Sequence, residues 1–366
     1  MSFKAEIFDD SNKKWNTLLE KSQESTVYQI AEWAKIYEEV YDSIPIFIVV
    51  KNSGEEIVGQ LCVLIHKNLF WDDSNAITKI IASKMKLRTT LSWFYGPIIH
   101  DKSNQNEIIH EILKKIDEIA IENKVTIIRG STSPMNQNIS IKLFEKLGYK
   151  IENWATYVSN LKTSNEIFYN SLNKKTRYDV RKSEKIGLEF EISENVSSSM
   201  EFSKLKAEAR EREGRKSDIN KKFVDARWKN LNENGYGKLF IAKNNGISVG
   251  GVYCLIFNDN IIQHSVVNSV KKDLEAGSFL TWNIIKWGIE NELNTFDVAG
   301  VNPNPKNDKE KQIDFYKSKW GGEKLKYFWC TKIVSDHKMK ISSVLKNPKT
   351  SFKKISKNNV TKNEIK

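Results

Sequence analysis

The feature that most constrains this chain is a segment that occurs twice. Phe47-Ile48-Val49-Val50-Lys51-Asn52-Ser53-Gly54 with Val58-Gly59-Gln60-Leu61-Cys62 aligns without gaps onto Leu239-Phe240-Ile241-Ala242-Lys243-Asn244-Asn245-Gly246 with Gly250-Gly251-Val252-Tyr253-Cys254, at a constant offset of 192 residues. Lys51/Lys243, Asn52/Asn244, Gly54/Gly246, Gly59/Gly251 and Cys62/Cys254 are identical. Each copy reads as a β-branched strand, an Asn/Gly turn and a second apolar strand, the pattern of a hairpin. A second pair follows in the same order: Val125 to Gly130, then Leu143 to Tyr149, mirrors Asn294 to Gly300, then Tyr316 to Gly321. Two matched blocks in one order imply duplication. Each copy also has an apolar helical face ahead of the later strand, Ile108, Ile109, Ile112, Leu113, Ile116 and Ile119 in one and Leu280, Ile284, Ile285 and Ile289 in the other. Hairpin, helix, strand and short helix make an α/β unit, built twice. A length of 366 residues agrees with about two domains.

Composition closes off other classes. With 39% hydrophobic, 28% charged and 11% aromatic residues, the chain is globular and not low-complexity. Its apolar runs, such as Ile44 to Val50 and Ile247 to Phe257, fall short of the ~20 residues a membrane-spanning helix needs. The start, Met1-Ser2-Phe3-Lys4-Ala5-Glu6, lacks the pattern of a secretory signal, so a cytoplasmic location is expected. Cys62, Cys254 and Cys330 form no C-x-x-C pair, which suits a reducing compartment, and His66, His100, His110, His264 and His337 have no ligand spacing, so no metal is expected.

The formal charge of +12 is concentrated at the end, because residues 337–366 carry nine lysines against Glu364. This tail has little to bury and reads as a disordered solubilising end; docking on RNA or on an anionic membrane is the alternative. Between the repeats, residues 166–187 read as a basic linker helix with Lys174, Lys175, Arg177, Arg181, Lys182 and Lys185. Arg177, Arg181 and Lys185 share a face at helical spacing, suited either to phosphates or simply to solvent.

Leu143-Phe144-Glu145-Lys146-Leu147-Gly148-Tyr149 resembles the terminal helix and glycine of a GNAT acyltransferase domain. Two such units joined by a basic segment resemble the FemABX peptidyltransferases, from about Val27 to Cys330. Tyr28-Gln29-Ile30-Ala31-Glu32-Trp33-Ala34-Lys35 is similar to the family's Q-S-x-x-W-x-x-K helix, with Ile30 where serine is usual. Trp93-Phe94-Tyr95-Gly96-Pro97 is similar to its G-P strand end, Leu172 to Gly187 to its basic helix, and Phe296-Asp297-Val298-Ala299-Gly300 to its F-D-x-x-G strand. The resemblance implies an α/β fold with mixed sheets, two tandem GNAT-like domains at 1–160 and 161–335, and the tail at 336–366. It also implies transfer of an aminoacyl group from aminoacyl-tRNA, or an acyl group, to an amine on a cell-envelope precursor, with Trp33 and Tyr95 at the substrate site. The last strand is expected to pack back toward the first half.

An acyl-CoA enzyme of this class binds pyrophosphate with a R/Q-x-x-G-x-G/A turn opening a helix. Here Leu274-Glu275-Ala276-Gly277-Ser278-Phe279 keeps the first glycine alone, which disfavours CoA; Gly277 and Ser278 remain candidates for another anion. Aminolysis of an ester needs a neutral amine and stabilisation of the oxyanion. Lys317 is the candidate donor, because the first copy has Phe144 in the same register. Lys35 with Arg177 or Arg181 suits an acceptor diphosphate, and Asp101 could orient or deprotonate the amine, although an acid capping the Asn104 region is the plainer role. Asp297, inside an apolar strand, needs a partner.

The leading reading is thus an aminoacyl or acyl transferase acting on a nucleotide- or lipid-linked amine, with no cofactor beyond the donor, aminoacyl-tRNA or acyl-CoA. The alternatives are an acyl-CoA-dependent N-acyltransferase and a non-catalytic RNA-binding protein. Two geometric expectations follow: superposed halves bring Gly54 near Gly246 and Gly130 near Gly300, and Lys35, Arg177 or Arg181, and Asp101 share one cleft.

Overall fold

A computed structural model describes residues 2–9, 12–67, 89–215, 218–268 and 274–335. The lysine-rich tail, residues 336–366, lies outside the described residues. The strands are β1 Lys4–Ile7, β2 Ile44–Lys51, β3 Ile57–Lys67, β4 Thr89–Trp93, β5 Ile98–Ile99, β6 Ile127–Ser131, β7 Lys150–Asn160, β8 Glu189–Ile192, β9 Gly237–Asn244, β10 Ile247–Phe257, β11 Asn260–Asn268, β12 Thr295–Asp297 and β13 Glu323–Ile333. They join in one mixed sheet in the order β1-β2-β3-β4-β6-β13-β7-β12-β11-β10-β9-β8, with β5 paired to β3. Each half has the same ladder: antiparallel strands, then one parallel pair, β4 with β6 and β11 with β12.

The last strand belongs to the first half's sheet. β13 lies antiparallel between β6 and β7, and β7 turns its final residues, Val158 to Asn160, to β12. One strand is thereby shared by both halves.

The duplicated hairpin is real, but its register corrects the gapless alignment. Lys51 pairs with Ile57 and Val50 with Gly59, leaving Val58 as a bulge; Lys243 pairs with Ser248 and Ala242 with Gly250, leaving Val249 as the bulge. The offset is therefore 192 in the first strand and 191 in the second, because the second turn is one residue shorter. Gly59 corresponds to Gly250 and Cys62 to Tyr253. A slip of one residue moves a side chain to the other face of a sheet, and Cys62 indeed sits in the core between the halves while Cys254 sits in an outer core. Gly54 and Gly246 both occupy the turns. Carried through the parallel pairs, Gly130 corresponds to Val298, so Gly300 falls two residues further on.

Three apolar clusters hold the molecule. A central one joins both halves, with Trp33, Leu64 and Tyr95 beside Leu239, Ile241 and Tyr253. The outer faces are covered separately, by the helix Gln105–Glu122 over Ile48, Leu61 and Val63, and by the helix Ala276–Glu290 over Phe240, Ala242 and Val252. Alternation along β9, with Leu239 and Ile241 inward and Phe240 and Ala242 outward, is the period of a strand buried on both faces. The basic linker helix is two helices, Asn165–Ser171 and Lys174–Lys185. Asn173 divides them by accepting the Thr176 N–H at 2.8 Å, the N-cap role that asparagine favours over helix interiors. No helix among the described residues is long and apolar enough to cross a membrane.

Candidate active site

The sheet opens in the second half. β11 and β12 are paired only from Asn260/Thr295 to Ile262/Asp297 and then part. The equivalent gap in the first half stays shut: Trp93 pairs with Gly130, and Ser131 holds Gly96 N through its carbonyl (2.9 Å) and Tyr95 N through its hydroxyl (3.0 Å). A side chain at Gly130 would run into the Trp93 ring.

Asp297 ends β12 at the opening, 6% exposed. A carboxylate in an apolar strand requires donors. It accepts the Thr156 hydroxyl from β7 and the Ala299 N–H at 2.7 Å, a local turn that draws Ala299 into the left-handed region at φ +63°. Burial pushes its carboxyl up to about 6, against the pull of those two bonds and of Lys317. Lys317, near the end of the helix Asp308–Ser318, is half-buried and donates to the carbonyls of Ala299 (3.1 Å) and Gly300 (3.0 Å). Burial lowers its ammonium to about 8, opposed by the charge of Asp297. An ammonium has three donors, and two are spent on these carbonyls.

Aromatic side chains from both halves close the floor. Tyr327 lies against Gly300, its ring edge-on to Tyr95 at 5.3 Å. Tyr28 stacks edge-on against both Tyr95 (5.4 Å) and Trp33 (5.0 Å) and pairs its hydroxyl with His264 Nδ1 at 3.0 Å. Of the residues expected from sequence, Tyr95 and Lys317 thus lie beside Asp297, and Trp33 reaches this group through Tyr28. His264 is held neutral, down to about 3, by burial and by the neighbouring cations Arg227 and Lys206.

A groove of about 580 Å³ lies beside the far end of β11, lined by Lys206, Arg210, Arg212, Glu213 and Arg215 with Val266 to Asn268. Its lining is net positive, with Glu213 paired to Arg215 and Lys206, Arg210 and Arg212 left to face the groove. Behind it Arg227 is buried, its guanidinium 4.1 Å over the Tyr253 ring and bonded to Ser199 Oγ at 2.8 Å. Sequence reading passed over this groove. Its signal was the helix end Arg210-Glu211-Arg212-Glu213-Gly214-Arg215, where interleaved acids mask the basic face.

The remaining expected residues do not converge. Lys35 is exposed on the helix Ala31–Tyr41, which packs in the central cluster. Arg177 and Arg181 belong to a helix that packs on Ala276–Glu290, across the sheet from that cluster. Arg177 closes the end of the preceding helix by donating to Asn170 O (2.8 Å) and Leu172 O (2.9 Å), and Arg181 faces solvent. Asp101 caps the turn Lys102–Asn104, accepting from Ser103 N (3.0 Å) and Asn104 Nδ2 (2.7 Å). It follows β5, which pairs with β3 on the side that β4 takes, four strand steps from β12, or ~19 Å at ~4.8 Å per step. One amine cannot touch both Asp101 and Lys317. At the start of Ala276–Glu290, Ser278 Oγ accepts from Lys319 Nζ (3.0 Å), which also meets Asp179 (3.4 Å), so the chain's own cation occupies the place beside Gly277 and Ser278. Among the described residues no group of three or more His, Cys, Asp or Glu side chains is placed to hold a metal ion.

A family model for the acetyltransferase (GNAT) domain matches residues 170–312, the part that contains the open strand pair. No curated protein sequence matches the chain. The crystal structure of FemX is similar over 93% of this chain and 100% of that one, at 15% identity and a TM-score of 0.70. L-PGS from Bacillus licheniformis is similar over 92% of this chain and 98% of that one, at 10% identity and a TM-score of 0.54. A tandem GNAT protein from the clavulanic acid biosynthesis pathway is similar over 91% and 99%, at 10% identity and a TM-score of 0.52. The chain therefore has a GNAT-type acyltransferase fold in tandem arrangement, and in that arrangement it is FemX-like.

Proposed function

We propose that this protein transfers an aminoacyl or acyl group to an amine on a diphosphate-bearing precursor of the cell envelope. The observation that carries the reading is Lys317, an ammonium fixed on two backbone carbonyls at the point where β12 leaves β11, with one donor unspent. In an aminolysis the amine nitrogen bonds to the ester carbonyl carbon, the carbonyl oxygen becomes an oxyanion, and the bond to the donor's hydroxyl oxygen then breaks. The proton lost by the amine goes to that departing oxygen. A fixed N–H aimed at the oxyanion stabilises the transition state more than the ground state.

The basic groove supports a phosphate-bearing acceptor, since Lys206, Arg210 and Arg212 present three cations within one concavity. The resemblance to Fem peptidyltransferases supports aminoacyl-tRNA as donor. An acyl-CoA donor is disfavoured because Leu274 and Phe279 stand in place of the Arg/Gln and the second glycine of the pyrophosphate turn, and Asp179 neutralises the Lys319 ammonium at that helix start. The test supplies purified protein with tRNA charged with radiolabelled amino acids, or with labelled acetyl-CoA, and with nucleotide-diphosphate-linked or lipid-diphosphate-linked amines. Label passing from tRNA to the amine supports the reading. Label passing only from acetyl-CoA keeps the transfer but refutes aminoacyl-tRNA as the donor, and tRNA binding with no transfer from either donor refutes the reading.

A further inference from the structure

Lys317 could not hold its position without the turn that precedes it. The Ala299 and Gly300 carbonyls point at the ammonium because Ala299 adopts φ +63°, a conformation that costs an alanine free energy. The bond that enforces it is Asp297 Oδ1 to Ala299 N, and the Thr156 hydroxyl holds the same oxygen from β7. Further along, the main chain of Val301 pairs with Ala155, so the turn is pinned at both ends to β7. The Tyr327 hydroxyl leaves no room for a side chain at Gly300.

We propose that Asp297 is the positioning residue for Lys317: through this turn it aims two carbonyls at the ammonium and sets its own carboxylate close to it. The proposal rests on the reading of Lys317 as the group that meets the oxyanion. Among the described residues, Asp297 is the acid whose charge acts on Lys317. Tyr327 and Tyr95 are held protonated, chiefly by burial. On Lys317's own helix, Asp314 is engaged by Tyr157 (3.0 Å) and Lys324 (3.1 Å), and Tyr316 turns to Thr281 (3.2 Å). Just beyond it, Lys319 turns to Ser278 and Asp179. The pair is coherent in sign. Asp297 is ionised above about 6 and Lys317 is protonated below about 8, so both are charged between those values.

The test follows the lysine side chain by nuclear magnetic resonance in protein labelled with ε-¹³C lysine, the Lys317 signal being assigned by its loss in Lys317→Arg. Asp297→Asn keeps an oxygen to accept from Ala299 N and Thr156 but removes the charge. The Lys317 midpoint then moves down by about one pH unit or more. Thr156→Val, which leaves the charge in place, keeps the Lys317 midpoint where it was. A midpoint unchanged in Asp297→Asn, or lowered equally in both variants, overturns the proposal. The titration needs no substrate, so it stands or falls separately from the transfer reaction: Lys317-dependent transfer with an unmoved midpoint defeats the role of Asp297 alone.

Discussion

Phe328 lies in a strand from the chain's far end, yet its side chain belongs to the first half. It is 5% exposed and meets Phe144 edge-on at 5.1 Å, within the outer core that includes Ile109, Leu113 and Ile128. Phe328→Ala removes a buried ring, which costs about 3 to 5 kcal/mol when the surroundings cannot collapse, part of it the edge-on aromatic pair. β13 is clamped between β6 and β7, so collapse is restricted here and the upper part of that range is expected. The loss should be local in a telling way. Hydrogen exchange monitored by mass spectrometry should show lost protection in Gln105–Glu122 and Ile127–Ser131, with Ala276–Glu290 close to wild type. Lost protection centred on Ala276–Glu290, with the first half unchanged, would refute the assignment of β13 to the first half's core.

Transfer divided by the neutral fraction of the acceptor amine should follow a bell in pH, rising as Asp297 ionises near 6 and falling as Lys317 loses its proton above about 8; by pH 9 this corrected rate should be about a tenth of its maximum, and a corrected profile flat to pH 10 would count against the pair. Arg212→Gln and Arg210→Gln should each weaken binding of a nucleoside diphosphate about tenfold and flatten its salt dependence, read by calorimetry at two ionic strengths. Arg177→Ala should cost about 1 kcal/mol in denaturant unfolding through the lost bonds to Asn170 and Leu172, with diphosphate affinity unchanged.

The tandem architecture was legible because a duplication repeats its elements: two hairpins and two terminal helices, with Gly148 and Gly321 both in the left-handed conformation where each helix ends. What escaped was anything set by one residue of turn length. The Gly59/Gly251 and Cys62/Cys254 identities favoured a gapless alignment, while the ladder pairs Gly59's counterpart, Gly250, with Ala242. Lys317 was legible because an ammonium replaces a buried aromatic between copies. Its setting was not, since Thr156 and Asp297 are 141 residues apart and meet only because β7 is shared by both halves. Basic residues were sought where they are densest, in the linker. Density marks solvated faces as readily as sites, and the groove is built from the sparser Lys206, Arg210, Arg212 and Arg215, which curve around the end of β11.

The central claim is that the Lys317 ammonium stabilises the oxyanion of an acyl transfer. Its most direct test is single-turnover transfer of a radiolabelled aminoacyl group from charged tRNA to a diphosphate-linked amine, comparing wild type with Lys317→Ala at pH 7. Removal of one oxyanion donor predicts a rate lowered roughly 100-fold or more, with donor and acceptor affinities within about twofold of wild type. Lys317→Arg should restore little of the rate, because a planar guanidinium cannot keep two N–H groups on the Ala299 and Gly300 carbonyls and a third at the same point. Transfer at the wild-type rate by Lys317→Ala would contradict the account.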